Sequence, residues 1–184
     1  MSASTAVPTA TWAIDPVHSS IGFGVKHLGV STYRGSFTGA SGTITTADGA
    51  VTAIDGTIAI DSILTTDAKL TGHLLAADFF DAATYPEARF LSTSVTAGAD
   101  DQLAIAGNLT LRGVTLPLTL TGEIIGHVVD PYGNTKLGVS ARGHIDRTAF
   151  GITWNAPLAN GALALAEKVT LTLEVQAAAQ DAAA

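Results

Sequence analysis

Apolar and polar residues alternate along most of this chain. Val169, Leu171, Leu173 and Val175 are interleaved with Thr170, Thr172, Glu174 and Gln176. Leu137, Val139, Ala141 and Ile145 alternate with Lys136, Ser140, Arg142 and His144, and Val114, Leu116, Leu118 and Leu120 with Thr115, Pro117, Thr119 and Thr121. A period of two gives a strand one dry face and one wet face. Read this way, the sequence predicts about eight strands, near residues 11–27, 32–46, 51–61, 88–97, 102–111, 114–128, 135–146 and 165–176. Turn residues separate several of them: Asp48-Gly49, Arg112-Gly113 and Pro131-Tyr132-Gly133-Asn134. So many one-sided antiparallel strands must stack as a sandwich or close on themselves.

One segment breaks the pattern. In residues 65–90, Leu70, Leu74 and Ala77 fall at helical spacing, Thr66 or Asp67 is placed to cap, and Pro86 ends the irregular part. The spacing predicts a helix within 66–80, between the third and fourth strands, placed to act as a lid. No repeat or linker divides the rest. A single domain over 11–177 is expected, with flexible tails at 1–10 and 178–184.

Composition narrows the function classes. Of 184 residues, 47% are hydrophobic and only 14% charged, and the net charge is −7. The mean hydropathy is +0.35 and the pI near 4.9. That acidic balance argues against nucleic acid as a partner and equally against electrostatic docking on anionic membranes. No apolar run is long enough for a membrane-spanning helix. The start has neither a basic region nor an apolar core of a secretory signal, so a cytoplasmic location is expected. With no cysteine, thiolate metal sites and thiol nucleophiles are excluded.

The histidines are the chemistry to weigh. His18 and His27 bracket "SSIGFGVK" and lie nine apart, an odd number that on an unbulged strand turns them to opposite faces. No metal is therefore expected between them. His27 shares the apolar face of Ile21, Phe23 and Val25, near a strand end; His73 sits in the lid segment; His127 and His144 fall on wetter faces. There is no GxSxG elbow, no HExxH and no spaced carboxylate pair. "GFGVKHLG" lies inside a strand, where it cannot cradle a phosphate as a strand-to-helix loop does.

Four segments appear in order: "WAIDPVHSSIGFGVKHLGVSTYRGSFTGASGTI", "HLLAADFFDAATYPEARFLS", "GNLTLRGVTLPLTL" and "RTAFGITWNAPL". Together they resemble the YceI-like family of polyisoprenoid-binding proteins, over about residues 11–177. The resemblance implies an all-β fold, an extended lipocalin-like eight-stranded antiparallel barrel with a helical excursion after the third strand. It also implies a long isoprenoid chain, or another lipid-like tail, held inside, and a homodimer. The chain departs from the family pattern at Leu70-Thr71, where an Arg-Asp pair is usual, and at "AEKV" (166–169), where Gly-Asp-Lys-Val is common. A headgroup role for the missing charged pair does not carry over.

The expected function is binding of a long apolar isoprenoid-type lipid, polyprenyl or quinone-like, for transport, storage or sequestration, with no cofactor and no chemistry of its own. The alternative is an enzyme acting on a lipid or quinone precursor, with His27 or His73 as acid or base. Ile21, Phe23, Val25, Phe37, Phe90, Leu118, Val139, Ala141, Phe150, Trp154, Leu171 and Leu173 are expected to line the interior. Phe79 and Phe80 are expected to close the mouth, and His27 and His73 to meet the headgroup. Gly35, Gly107, Ala141 and Gly143 are expected to leave the room a tail needs.

Overall fold

The computed structural model describes residues 7–180. Eleven strands are present in this span: β1 Ala10–Ile14, β2 Ser20–His27, β3 Ser31–Phe37, β4 Ala40–Ala47, β5 Ala50–Ala59, β6 Ile63–Leu64, β7 Glu87–Ala97, β8 Gln102–Leu111, β9 Val114–Val129, β10 Thr135–Asp146 and β11 Leu165–Ala179. One α-helix, α1 Ala68–Leu75, follows β6. Hydrogen bonding runs β1-β4-β5-β7-β8-β9-β10-β11 and returns from β11 to β1, so the ring closes. Every pairing is antiparallel. β2 and β3 extend the wall beyond the ring. β11 pairs with β2 through Leu165–Glu174 and with β1 through residues 177–179.

The predicted strands 11–27 and 32–46 are each split in two. The first breaks at residues 15–19, where Pro16 has no N–H to give to a ladder. Asp15 holds the corner: its carboxylate accepts from Val17 N at 3.0 Å and meets His18 Nδ1 at 2.9 Å. The His18 contact holds the Asp15 carboxyl below the usual carboxylate range. His18 therefore sits in a corner before β2, and His27 at the far end of β2. They are kept apart by the length of the strand rather than by its two faces. The second break, at Thr38-Gly39, separates β3 from β4. β1–β2 and β3–β4 thus act as two bent strands, and the closed barrel counts eight.

Three other expectations are corrected. α1 ends at Leu75, so Ala77 lies outside it. Asp67 is the cap, accepting from Leu70 N at 2.9 Å. Leu74 alone of the helix is buried. The tails are shorter than expected: Val7 bridges to Gly49, Ala10 begins β1, and β11 runs to Ala179, because β1 and β11 pair to shut the ring. The remainder, residues 1–6 and 181–184, lies outside the described residues. Finally, the register shifts between Gly138 and Val139, which sets His127 opposite the fully buried Leu137, half-buried rather than on a wet face.

The inward positions follow the period. Trp12, Ile44, Val51, Ile105, Leu120 and Leu137 are at most 3% exposed. Trp12 gives its indole N–H to Thr46 Oγ1 at 2.8 Å, satisfying the polar end of the largest core side chain. At the opposite end, the Arg112-Gly113 hairpin turns with both residues at positive φ, 51° and 73°. The Arg112 guanidinium donates to Ala77 O at 2.7 Å and to Gly151 O, tying the hairpin to the segment after α1.

Candidate ligand cavity

Three cavities lie in sequence along the barrel. The mouth cavity, about 480 Å³, is bounded by the ends of β2, β3, β10 and β11, by α1 and by residues 152–154. Behind it lies one of about 100 Å³ and, toward the far end, one of about 90 Å³. Phe23 and Ile145 line both the mouth and the middle cavity. Ile21, Ile58 and Phe90 line both the middle and the far one. Among the described residues, no Asp or Glu lines any of the three.

The predicted residues distribute along this row. Phe23, Val25, His27, His73, Phe79 and Trp154 bound the mouth. Phe37, Leu118 and Leu171 bound the middle, Val139 and Ala141 the far end, and Ile21, Phe90 and Leu173 both. Phe80 and Phe150 line none of the three cavities. Phe80 packs edge-on against Phe37, ring centroids 5.6 Å apart, and Phe150 is 3% exposed in the core. Phe80 therefore does not close the mouth.

The glycines do not leave a ligand's room. A Cβ on Gly35 would lie 2.5 Å from Phe23 Cζ, and one on Gly107 or Gly143 would run into Phe90 or Leu120. Each glycine is the floor on which a neighbour's side chain lies, an arrangement that pins cross-strand register. Phe23, seated on Gly35, forms the constriction between mouth and middle. Its ring is 5.7 Å from Phe37 and 6.3 Å from Tyr33. A Gly143→Leu substitution therefore overpacks the wall rather than filling a tunnel. The expected result is a loss of about 1–3 kcal/mol, read as a lower denaturation midpoint.

At the mouth, His73, Phe79 and Trp154 form an aromatic cluster. The His73 ring meets Phe79 at 4.8 Å and Trp154 at 5.1 Å, both edge-on. Its Nε2 stands 4.0 Å from Asp78, outside the cavity lining. His27, exposed at the end of β2, pairs in register with Ser31 and Leu165. Neither histidine meets a carboxylate within the cavity.

Among the lining residues that sequence reasoning missed, two carry buried polar groups that shape the mouth. Arg147 is 4% exposed and lines the mouth. Its Nη1 donates to Ile152 O at 2.6 Å and Trp154 O at 2.9 Å, its Nε to Ala166 O at 2.9 Å, and its Nη2 to Leu165 O at 3.4 Å. Burial lowers its pKa, while Glu167 and Asp146 act the other way. This buried cation is held by carbonyl dipoles and sets the backbone that carries Trp154. Its sequence signal was its place at the head of the segment "RTAFGITWNAPL".

The other is Tyr33. It faces the mouth beside Val25, and its hydroxyl is buried without a hydrogen-bond partner among the described residues. An unsatisfied buried hydroxyl costs about 1–3 kcal/mol. Tyr33→Phe is expected to raise stability in the empty protein by up to about 1 kcal/mol, measured by denaturant midpoint. A loss of more than about 1 kcal/mol would show that the hydroxyl has a partner.

Comparison with known proteins agrees with this geometry. The family model of the YceI-like domain matches residues 12–177. Protein YceI of Escherichia coli O17:K52:H18 is 39% identical over 137 residues, which are 73% of this chain and 71% of that protein. Protein YceI of Salmonella arizonae is 37% identical over 138 residues, covering 74% and 72%. Among solved structures, the Campylobacter jejuni YceI protein superposes with a TM-score of 0.72 at 29% identity, over 85% of this chain and 90% of that one. A polyisoprenoid-binding domain from Saccharophagus degradans, at 16% identity, shares the fold with a TM-score of 0.71 over 94% and 100%. With the matching profile, relatives above 30% identity and the closed barrel in agreement, the chain belongs to the YceI-like family.

Proposed function

We propose that the barrel binds one long apolar lipid of isoprenoid type, its tail in the row of cavities and its polar end at the mouth, beside His27 and His73. The observation that carries the reading is the row itself: three apolar cavities in line, sharing Phe23, Ile145, Ile21 and Phe90 as their walls. The mouth cavity alone has the size of an ordinary small-molecule site. Membership of the YceI-like family, and the fold shared with a domain described as polyisoprenoid-binding, support the same ligand class.

The energetics are those of burial. Each methylene taken from water contributes roughly 0.8 kcal/mol, so a five-carbon unit contributes about 3–4 kcal/mol. A few such units offset the cost of association. Tail length sets affinity, and the headgroup sets direction. The barrel then carries or stores its lipid without altering it; acid–base work at the mouth would need a partner that the lining does not supply.

Native mass spectrometry of protein taken from its own host tests this. The expected result is a bound long-chain lipid released on denaturation. Protein that carries none, and that after delipidation takes up no polyprenyl chain, would overturn it.

A further inference from the structure

The mouth is framed on one side by two hairpin tips that carry apolar side chains into solvent. The β2–β3 turn presents Leu28 and Val30, 41% and 83% exposed, and the hairpin closed by the Pro157–Leu163 bridge presents Leu163, 51% exposed. The tips are joined: Leu28 N donates to Ala164 O at 2.7 Å. Residues 155–166 contain no charged side chain, and neither do residues 28–33. Behind the tips, on the outer faces of β2, β3 and β11, stand Lys26, Arg34 and Lys168, all exposed and without an ion pair among the described residues. Their acidic neighbours are Glu167 and Asp146, and the Asp146 carboxylate is taken up by Thr148. The hairpins at the other end of the barrel carry Asp48, Asp100, Asp101 and Asp130 instead.

We propose that these two tips are a membrane-docking surface, on which the barrel rests against an anionic bilayer while lipid passes between bilayer and mouth. The inference rests on the lipid-binding reading and adds where the lipid is exchanged. Three arguments favour a bilayer over a second copy of the chain. The patch is continuous with the mouth, since His27, which lines it, directly precedes Leu28. Three apolar side chains fall far short of the ~800 Å² per partner of an ordinary protein interface, whereas shallow insertion at the headgroup level needs only a few. The cations stand behind the apolar tips, where lipid phosphates would lie. An acidic chain is repelled by an anionic surface in most orientations, so the charge asymmetry selects the one with the mouth facing the lipid. The α1 side of the mouth, with Asp67, Asp78 and Asp81, is the side turned away.

The test is co-sedimentation of the full chain with phosphatidylcholine vesicles, with and without about a third phosphatidylglycerol. Native protein, a Leu28→Ser/Val30→Ser/Leu163→Ser variant and a Lys26→Gln/Arg34→Gln/Lys168→Gln variant are compared, and farnesol binding is measured separately without vesicles. Native protein is expected to sediment with the anionic vesicles. The serine variant should lose about tenfold in partitioning, the glutamine variant should lose the preference for phosphatidylglycerol, and both should bind farnesol as the native protein does. Equal sedimentation of native and serine variants, no sedimentation at all, or a stable dimer that hides Val30 and Leu163 would overturn docking while leaving farnesol binding intact. Native protein that binds no farnesol would overturn the cavity reading, and docking with it.

Discussion

Replacing Arg147 with leucine is expected to unfold the mouth and to lower the stability of the whole barrel by about 3–5 kcal/mol. Its guanidinium serves the carbonyls of Ile152, Trp154, Leu165 and Ala166, which come from a loop and from β11. Leucine fills part of the volume and leaves these acceptors without a donor. Each buried orphan costs about 1–3 kcal/mol, and those that turn outward to water recover part of it. For a chain of this size, about 6–20 °C in melting temperature follows, since each kcal/mol shifts it about 2–4 °C. Lysine keeps the charge but not the planar fork, so Arg147→Lys should regain less than half of the loss. Because the loop includes Trp154, lipid uptake should weaken in both variants. A melting temperature within about 2 °C of the native protein for Arg147→Leu would show that the loop holds itself.

Period two declares the faces of a strand but not its corners or its partners. It located all eight barrel strands, since alternation such as that of Val169 to Val175 is local and each strand declares its own faces. The break at residues 15–19 was less legible, because both sides of the corner keep the alternation. Asp15-Pro16 was its only local sign. Glycine proved the most misleading residue. Gly35, Gly107 and Gly143 do mark close approach, but a sequence does not say whether ligand or neighbour approaches, and here the neighbours are Phe23, Phe90 and Leu120. Arg147 was invisible for a related reason. Its partners are main-chain carbonyls, which every residue has, so no side-chain pattern announces them.

The mouth residues show a similar division. Phe23, Val25 and His27 were found because one strand carries them all on one face. Trp154 and His73 were named from separate segments, and only the fold brings their rings to 5.1 Å. Leu165, Val169 and Ile152 also line the mouth and were read simply as strand or loop. Phe80, adjacent to Phe79 in sequence, stays half-buried and packs against Phe37 instead of lining the mouth.

Filling the mouth should separate a carrier from a barrel that is merely well packed, and Val25→Trp is the substitution that does so. Val25 lies in the middle of the mouth wall, opposite Tyr33 on β3 and Val169 on β11. Its side chain points into a space of about 480 Å³, so an indole there displaces ligand rather than protein. Overpacking costs arise when no space exists, and here the space is present; stability should change by less than about 1 kcal/mol. Denying the tail even one five-carbon unit removes about 3 kcal/mol of burial, which is roughly a hundredfold in affinity. Uptake of a polyprenyl chain by the Val25→Trp variant is therefore expected to fall at least about a hundredfold. His27→Ala, which removes only a polar contact at the exposed rim, should cost no more than about tenfold. The measurement is equilibrium binding of a fluorescent polyprenyl lipid, with melting temperature as the control for folding. Normal uptake by Val25→Trp would mean that the tail does not occupy the mouth. A collapse of binding in His27→Ala alone would move the weight of recognition from the tail to the headgroup.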